Sequence, residues 1–422
     1  MTQTTWTPRP TGRSLAPDLA RGLMLLLIAL ANVPAFLYGH RTGMGFSHPM
    51  GEQGADLAWQ LFSIVTIDAR SYPLFAFLFG YGIWQSYSRQ AAAGTPQREA
   101  KGLLQRRHLW MLVIGGAHAA LLWYGDVVGA YALLGLVVVW LFLDRADRTL
   151  RIWCIVLAAL LALLTLLTVV SAIALSNAPE LMPEVSEGLP NPNATPVYLV
   201  AMLDRVAMWL ISTLSAPLLV TVPVAILLGV LAARHRLLDD PGQHRRRLTR
   251  FAVVGIATGW FGGGLSAAVF AGWMPMGIDL GLGIPLWHQL TGFAGGIGYA
   301  AAFGLVAHRI QQRGAGPFTR AVQSVGKRSL SNYLGQSIVF APLLSAWGLG
   351  LGAVLSPWQA AAIALVTWLV LLGISAILES RGVRGPAEWL LRRLAYGQRR
   401  IAPPAPVLAG AGNPGNPTTL PG

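Results

Sequence analysis

The 422-residue chain lacks the charge that keeps a soluble protein in water: only 11% of its residues are charged, while 54% are hydrophobic. Soluble domains carry about 25% charged residues on average. Cysteine is almost absent, so a disulfide scaffold is excluded, and the one cysteine, Cys154, stands in an apolar run that predicts a buried, inert thiol. With a mean hydropathy of +0.54, the chain is expected to be a polytopic membrane protein.

The apolar runs predict an all-α bundle of about ten transmembrane helices with both termini in the cytoplasm. A helix needs roughly 20 mostly apolar residues to cross a bilayer. Ten stretches qualify: 18–38, 70–88, 107–124, 126–143, 151–176, 208–233, 250–273, 288–308, 329–351 and 359–379. The sixth could begin as early as Val197. We expect one transmembrane domain over residues 1–400 and a disordered cytoplasmic tail over residues 401–422, which are rich in Pro and Gly.

Basic residues are unevenly distributed along this arrangement. With ten spans, 28 of the 31 Lys and Arg residues fall on the cytoplasmic side, and only Arg41, Arg70 and Arg205 fall on the other. Such a bias sets the orientation of insertion and predicts a location in the bacterial plasma (inner) membrane. Anionic lipid is a sufficient partner for the basic loops. Nucleic acid is not expected despite the net charge of +14, because no binding module is present.

Two extracytoplasmic loops are long, residues 39–69 and 177–207. The first contains "ADLAWQLFSIVTI", a candidate interfacial helix, and the second is acidic and Pro-rich and could form a lid. The topology also brings a set of polar residues to one outer level of the membrane, where unsatisfied polar groups are costly. These residues are His40, His48, Asp56, Asp68, Arg70, His118, Asp126, Asp279 and His288.

Histidine is the usual general base near neutral pH, and a carboxylate can orient it, so this convergence indicates a reactive site. His118 is the first candidate, because it lies inside an apolar helix eight residues before Asp126. The alternative is a packed core histidine. If His118 is the base, His118→Gln should lower turnover at least about 100-fold, and Asp126→Asn should have a milder effect. Asp68 could orient a histidine or merely cap the second helix. No metal is expected, since H-E-x-x-H and paired Cys/His spacings are absent.

A second polar group lies on the cytoplasmic side, where "VGKRSLSNYLGQSIV" opens the ninth helix. Lys327 and Arg328 precede Ser329, a plausible cap, and Asn332 follows on the same helix. Basic side chains at a helix N-terminus form an anion site, which suits the phosphates of coenzyme A. Retention of positive charge in the cytoplasm explains the two basic residues equally well.

The first helix carries its own polar face. Asp18 and Arg21 are three residues apart, and Asn32 follows Arg21 by 11 residues, or about three turns. These three side chains can act together in a site. The alternative is an interfacial ion pair plus an asparagine that is hydrogen-bonded to a neighbouring helix.

Several blocks together resemble the YeiB-like family of bacterial membrane proteins, whose C-terminal half is a domain of unknown function. They are "PDLARGLMLLLIALANVPAF", "DARSYPLFAFLFGYG", "LLWYGDVVGAYALLG", "VGKRSLSNYLGQSI" and "GPAEWLLRRLAYG", collinear from about residue 13 to residue 400. More distantly, the D-x-x-R-G opening, Asn32 and the Asp-initiated second helix are similar to the transmembrane acyltransferase superfamily, which includes heparan-glucosaminide acetyltransferase. In that branch the asparagine is kept and a histidine of the following loop is used; this loop offers His40 and His48.

The resemblance implies a transmembrane acyltransferase that moves an acyl group from cytoplasmic acyl-CoA or acetyl-CoA to an extracytoplasmic glycan or lipid acceptor. It implies that the donor phosphates are bound by Arg21, Lys327, Arg328 and Asn332, and that Asn32 polarises the thioester carbonyl. Proton transfer would be carried out by His40, His48 or His118, oriented by Asp68 or Asp126. Arg70 and His288 would contact the substrate. The alternative is a carrier or flippase for an amphipathic solute. A second copy of the chain, in a homodimer, is a further partner to consider.

Overall fold

The computed structural model describes residues 15–42, 46–176, 191–218, 220–274 and 283–397. Within these ranges the chain forms fourteen α-helices and no β-strand. The predicted tail, 401–422, Asp279 and residues 177–190 of the predicted lid lie outside them. The helices are α1 Leu15–Asn32, α2 Gly54–Thr66, α3 Ser71–Ala92, α4 Gln97–Leu121, α5 Val127–Leu141, α6 Asp147–Ser176, α7 Tyr198–Ser215, α8 Thr221–Arg234, α9 Arg245–Phe270, α10 Gly283–Arg313, α11 Pro317–Lys327, α12 Ser329–Leu344, α13 Pro357–Ser380 and α14 Pro386–Tyr396.

Seven helical segments of the described chain are long and apolar enough to cross a membrane. They comprise α1 with the turn after it, α2 with α3, and the helices α6, α7, α9, α10 and α13, while α5 and α8 are apolar but shorter. Each of the ten predicted stretches overlaps at least one helix. Large apolar side chains also point outward from α6, where Ile155 is 67% exposed and Leu166 is 59% exposed. Outward-facing apolar surface of this extent marks contact with lipid, so the protein is a helical membrane protein.

The sixth predicted span is not one continuous helix. Helix α7 ends at Ser215, a short 3-10 turn covers Ala216–Leu218, and α8 begins at Thr221. Pro217 lies within this turn. Proline has no N–H and its ring clashes with the preceding turn of a helix, which explains the interruption. The sequence-based prediction of a single helix through this point was therefore wrong.

Glycines allow close packing between α9 and α10 and between α8 and α3. Gly259 of α9 lies against Gly295 of α10, where a Cβ added to Gly259 would come within 2.7 Å of the Gly295 Cα. Gly229 of α8 meets the backbone of α3 at Phe77 in the same way. Because these residues have no side chain, backbones can approach closely enough for side chains of one helix to reach the carbonyl groups of the next.

The segment before α3 forms the helix that the sequence predicted. Helix α2 covers Gly54–Thr66 and contains most of the "ADLAWQLFSIVTI" segment. Four residues, 67–70, then turn the chain into α3, and Ala69 adopts φ +56°. A positive φ is unfavourable for a residue with a Cβ, so neighbouring contacts must hold this turn in place. The turn carries both Asp68 and Arg70.

Candidate functional site

The loop after α1 and the turn before α3 meet in a histidine–carboxylate pair, in which the histidine is buried and the carboxylate half-buried. His48 Nε2 lies 2.7 Å from Asp68 Oδ2, and the His48 side chain is 2% exposed. Ser63 of α2 donates its hydroxyl to Asp68 Oδ1 at 3.0 Å. The Asp68 carboxylate therefore orients His48. It does not cap α3, whose N-cap is Arg70 without a side-chain cap.

Arg70 crosses from the same turn into the helix bundle and is fully buried. Its Nη1 donates to the Ile64 carbonyl at 2.8 Å and also to the Asp68 carbonyl, while Nη2 donates to the Gly259 carbonyl. A Cβ at position 263 would overlap the guanidinium, so glycine at Gly263 leaves the space that Arg70 fills. A buried cation needs such partners, and carbonyl dipoles from α2 and α9 supply them.

His288 of α10 completes the cluster. Its Nε2 lies 3.2 Å from Arg70 Nη1, although the two residues are 218 positions apart. Phe46 packs edge-on against the His288 ring at 5.4 Å between centroids, and Phe270 packs at 6.1 Å from His48. We call His48, Asp68, Arg70 and His288 the α2–α3 cluster; the structure brings together four of the residues that the sequence analysis singled out.

Three nitrogen atoms of this cluster are buried and have no hydrogen-bond partner among the described residues. They are His48 Nδ1, His288 Nδ1 and Arg70 Nε. Most buried polar atoms in native proteins are paired, and a bound ligand or ordered water is the common partner where the protein itself offers none. The α2–α3 cluster therefore offers three nitrogen atoms with which a bound group could pair.

A second histidine–carboxylate pair lies between α4 and α5. His118 Nδ1 is 2.9 Å from Asp126 Oδ1, and both side chains are almost completely buried. Asp126 Oδ2 accepts the Gly129 N–H at 2.7 Å, which caps α5, and the Trp209 indole N–H at 3.3 Å. His118 Nε2 is buried without a partner among the described residues. The predicted neighbourhood of His118 and Asp126 is thus present, and Asp126 has a structural task in addition.

The two pairs lie at the same end of the bundle but in different groups of helices. The Tyr131 hydroxyl of α5 donates to the Tyr72 carbonyl of α3 at 3.0 Å, so the first turns of these helices are adjacent. The α2–α3 cluster is built from α2, α3, α9 and α10, whereas Tyr333 of α12 packs on the His118 ring at 5.3 Å. The single convergent site predicted from topology is therefore divided into two.

Two candidates from the first helix and its loop are in neither pair. The His40 side chain is exposed. Asn32 is half-buried at the last position of α1 and makes no side-chain cap at the turn that follows. Asp56 accepts the Trp358 N–H at 2.9 Å and so joins α2 to α13.

The residues predicted to bind the phosphates of coenzyme A lie near one another, at the other end of the bundle from the histidine pairs. The turn that joins α11 to α12 lies close to α1, since a Cβ on Gly326 would collide with the Asp18 backbone. Arg21 Nη1 lies 3.3 Å from Asp18 Oδ1, which matches the ion pair in the alternative interpretation, and Arg21 Nη2 donates to the Leu78 carbonyl at 3.2 Å.

Lys327 and Arg328 share one carboxylate that the sequence analysis missed. Glu379, at the end of α13, accepts from Lys327 and, at 2.7 Å, from Arg328 Nη1. One negative charge opposes two positive charges, so one positive charge is left for an anion. Asn332 is buried and donates to the Arg328 carbonyl at 2.8 Å and to Ser375 at 3.0 Å, which indicates that it supports Arg328.

Ser329 does not cap α12 with its side chain. The Glu388 carboxylate of α14 accepts the N–H groups of Leu330 at 2.7 Å and Ser331 at 3.1 Å instead. A carboxylate is a better partner than a hydroxyl for the positive end of a helix. The prediction of a Ser329 cap was therefore wrong. Because Glu388 comes from a different helix, local sequence carries no sign of it.

Comparisons with known proteins match this chain to proteins without an assigned activity. Residues 232–398 match the family model described as "Protein of unknown function (DUF418)". The chain is 27% identical over 399 residues to the uncharacterized protein YxaH of Bacillus subtilis (strain 168), an alignment that covers 90% of this chain and 93% of that protein. It is 29% identical over 140 residues to an uncharacterized 39.9 kDa protein in the amylase 3' region of Bacillus acidopullulyticus, covering 33% of this chain and 37% of that protein. These matches show similarity to the DUF418 family over residues 232–398, within the part of the chain where the resemblance stated above implies a domain of unknown function.

The family-model match divides the candidate residues. His288, Lys327 and Arg328 lie within residues 232–398, whereas both carboxylates of the histidine pairs precede that segment. Neither relative's name states an activity. Among the residues that the structure describes, no group of three or more His, Cys, Asp and Glu side chains is placed to hold a metal ion.

Proposed function

We propose that the protein is a transmembrane acyltransferase of the bacterial inner membrane. It would transfer an acyl group from cytoplasmic acyl-CoA to a hydroxyl or amine of an extracytoplasmic glycan or lipid. The observation that carries the proposal is the His48–Asp68 pair, in which a half-buried carboxylate orients a buried imidazole whose other nitrogen, Nδ1, has no described partner. This is the arrangement of a general base and its orienting group.

The proposal includes ten membrane spans and cytoplasmic termini. The seven long apolar segments and the two shorter apolar helices support eight of these spans, because α7 and α8 would together form one interrupted span. Helix α4 and helix α12 would be the remaining two crossings, the first because it leads directly into the Asp126 turn and the second because it follows the basic Lys327–Arg328 pair. In this topology both histidine pairs face the outer side, and Arg21, Lys327 and Arg328 face the cytoplasm.

His48 is a better candidate than His40 for the loop histidine of the acyltransferase resemblance. His48 is buried and paired with Asp68, whereas His40 is exposed. His48 is also a better candidate than His118, because the Asp126 carboxylate pairs with the Gly129 N–H that starts α5 and with the Trp209 indole as well as with His118. His118 remains the competing base.

In the reaction, His48 Nδ1 accepts the proton of the acceptor hydroxyl while the hydroxyl oxygen forms a bond to the thioester carbonyl carbon. The carbon–sulfur bond then breaks, and the protonated histidine returns the proton to the leaving thiolate. The products are the acyl ester and free coenzyme A, and the enzyme is unchanged. Asp68 stabilises the transient imidazolium and keeps Nε2 protonated throughout.

The donor would bind from the cytoplasm with its phosphates near Arg21, Lys327 and Arg328. The Arg328 guanidinium donates to Glu379 and to the Val383 and Ser324 carbonyl groups, which limits its freedom. From Arg21 to Asn32 the first helix rises roughly 16 Å, so the arm of coenzyme A would follow α1 toward the outer level of the membrane. Asn32 would lie beside this path rather than at the base.

The test uses the full chain in liposomes with radiolabelled acetyl-CoA, and a bacterial lipid extract and N-acetylglucosamine as acceptors. We expect release of coenzyme A and transfer of label. His48→Gln should lower kcat at least about 100-fold, the lower range for loss of a general base. His40→Gln is the matched control and should leave turnover unchanged. His118→Gln should retain most activity; the opposite order of His48 and His118 would identify His118 as the base. No coenzyme A release by the parent protein, together with solute counterflow, would favour a carrier.

A further inference from the structure

Arg205 of α7 is a fully buried cation that the proposed reaction does not use. Its side chain runs back along the helix, because its guanidinium carbon lies 5.1 Å from the ring centroid of Tyr198, seven residues earlier. Side chains of an α-helix point toward its N-terminus, and long basic side chains use this direction to bring their charge toward the lipid headgroups. The guanidinium therefore lies close to the end of the bundle at which α7 begins.

One edge of this guanidinium has a structural task. Its Nε and Nη2 atoms both donate to the Ala120 carbonyl, at 3.2 and 2.9 Å. The Tyr198 hydroxyl donates to the neighbouring Leu121 carbonyl at 2.9 Å. Both carbonyl groups belong to the last turn of α4, where a helix carries partial negative charge. Arg205 thus caps α4, and it does so with two of its five N–H groups.

The rest of the guanidinium is not neutralised by the protein around it. Nη1 is buried and has no hydrogen-bond partner among the described residues. The Tyr198 hydroxyl lies close to the guanidinium, and Asp204, the preceding residue, acts on it only at longer range. The rings of Tyr198 and Trp347 supply cation–π contacts at 5.1 and 5.6 Å, but no negative charge. A buried cation without a counter-charge is costly.

Trp347, in the loop after α12, adds a second donor beside Arg205. Its indole Nε1 is buried and has no partner among the described residues. An indole N–H can only donate, and so can a guanidinium. Two such groups, one of them charged, match a ligand that is negatively charged and rich in acceptors. A phosphate group presents several oxygen atoms, so the two donors need not meet on the same one.

We propose that the Nη1 edge of Arg205 binds the phosphate group of a membrane lipid. A guanidinium edge presents two parallel N–H groups, which fit the oxygen atoms of a phosphate. The surroundings favour a lipid over a soluble phosphate, because Leu199 and Leu203 of the same helix are each 64% exposed on a surface that contacts lipid. Tyr198 and Trp347 are half-buried, so rotation of either ring opens a path from the headgroups to this edge. The inference does not depend on acyl transfer.

Native mass spectrometry of the full chain in detergent with phosphatidylglycerol tests the site. The parent protein should retain one lipid more than Arg205→Gln, whose amide can still donate to the Ala120 carbonyl. The Kd of that lipid should rise at least about tenfold, the lower range for loss of a hydrogen bond to a charged group. Trp347→Phe keeps the ring and loses only the indole N–H, so its Kd should rise about fivefold. Arg41→Gln, at an exposed arginine, is the matched control and should retain lipid as the parent does.

Equal lipid retention by the parent protein and Arg205→Gln would overturn the inference and leave Arg205 as a cap of α4. If Arg205→Gln does not fold, Trp347→Phe decides instead, and an unchanged Kd there would overturn the inference. Inorganic phosphate and glycerol phosphate separate the possible sources of the phosphate group. Neither should displace the lipid at equal concentration, and displacement by either would overturn the assignment to a lipid.

Because no arm of this experiment measures coenzyme A release, its failure and that of the proposed function are distinguishable.

Discussion

Two adjacent glycines of α9 offer a test of the α2–α3 cluster that leaves every polar residue in place. A Cβ at Gly263 would overlap the Arg70 guanidinium and would lie 2.9 Å from Val65 Cα and 3.0 Å from the Ile64 carbonyl oxygen. Ordinary contacts of a Cβ begin near 3.4 Å. The neighbours on α2 are backbone atoms, which yield less than Arg70 does. We therefore expect Gly263→Ala to displace the guanidinium by about an ångström, a misplacement that costs on the order of 100-fold in turnover.

Gly264 is the matched control, because a Cβ there meets nothing within 4 Å. Alanine is favoured over glycine inside a helix by about 1 kcal/mol, so Gly264→Ala should unfold at the same or a higher temperature than the parent. The assay compares coenzyme A release and thermal unfolding in detergent for both variants. Gly263→Ala with parental turnover would refute the view that Arg70 must occupy its present position. A loss in both variants would indicate a general effect on α9.

Three further predictions concern other parts of the protein. A reporter that is active only in the periplasm should give signal when fused at Ser47 or Pro190 and none at Ala93 or Asp240; signal at Ala93 would refute the ten-span topology. Glu379→Gln removes the shared partner of Lys327 and Arg328, so KM for acetyl-CoA should fall up to about fivefold, since an exposed charge interaction contributes up to about 1 kcal/mol; an unchanged KM would separate these residues from the donor site. The basic ends of α9 and α10, where Arg245, Arg246 and Arg250 line one surface groove and Arg309 and Arg313 another, should retain anionic phospholipid in native mass spectra, and Arg→Gln changes there should release it while Arg384→Gln should not.

The fold could be predicted where the deciding interactions are local. Long apolar runs specify helices in a bilayer, and all ten predicted stretches overlap helices. The third and fourth predicted spans correspond to α4 and α5, with a short turn between them, and Cys154 is buried and free. The break between α7 and α8 was missed although Pro217 marked it, because hydropathy averages over a window and does not register a single lost N–H.

The contacts of the candidate site could be predicted where the partners are close in sequence, and not where they come from distant helices. His118 and Asp126 are eight residues apart across a short turn, so their proximity follows from the chain itself. His48 and Asp68 could be placed at one membrane level, but their pairing depends on α2 returning the chain, which hydropathy does not specify. Contacts across the bundle, such as Arg328 with Glu379, depend on which helices are neighbours. One sequence without an alignment does not contain that information.

The two histidine pairs differ most in the hydrogen-bond partners of their carboxylates. In the α4–α5 pair, the Asp126 carboxylate faces three donors, one of which is the backbone N–H that starts α5, so the carboxylate is needed for the fold whether or not His118 reacts. In the α2–α3 cluster, Asp68 has no helix to cap, and three buried nitrogen atoms around it lack described partners. Stability alone would favour filling such positions with apolar side chains, since unpaired buried donors are costly. Such positions are reasonable where a bound group completes the hydrogen bonds, which is why we propose this cluster as the site of the reaction.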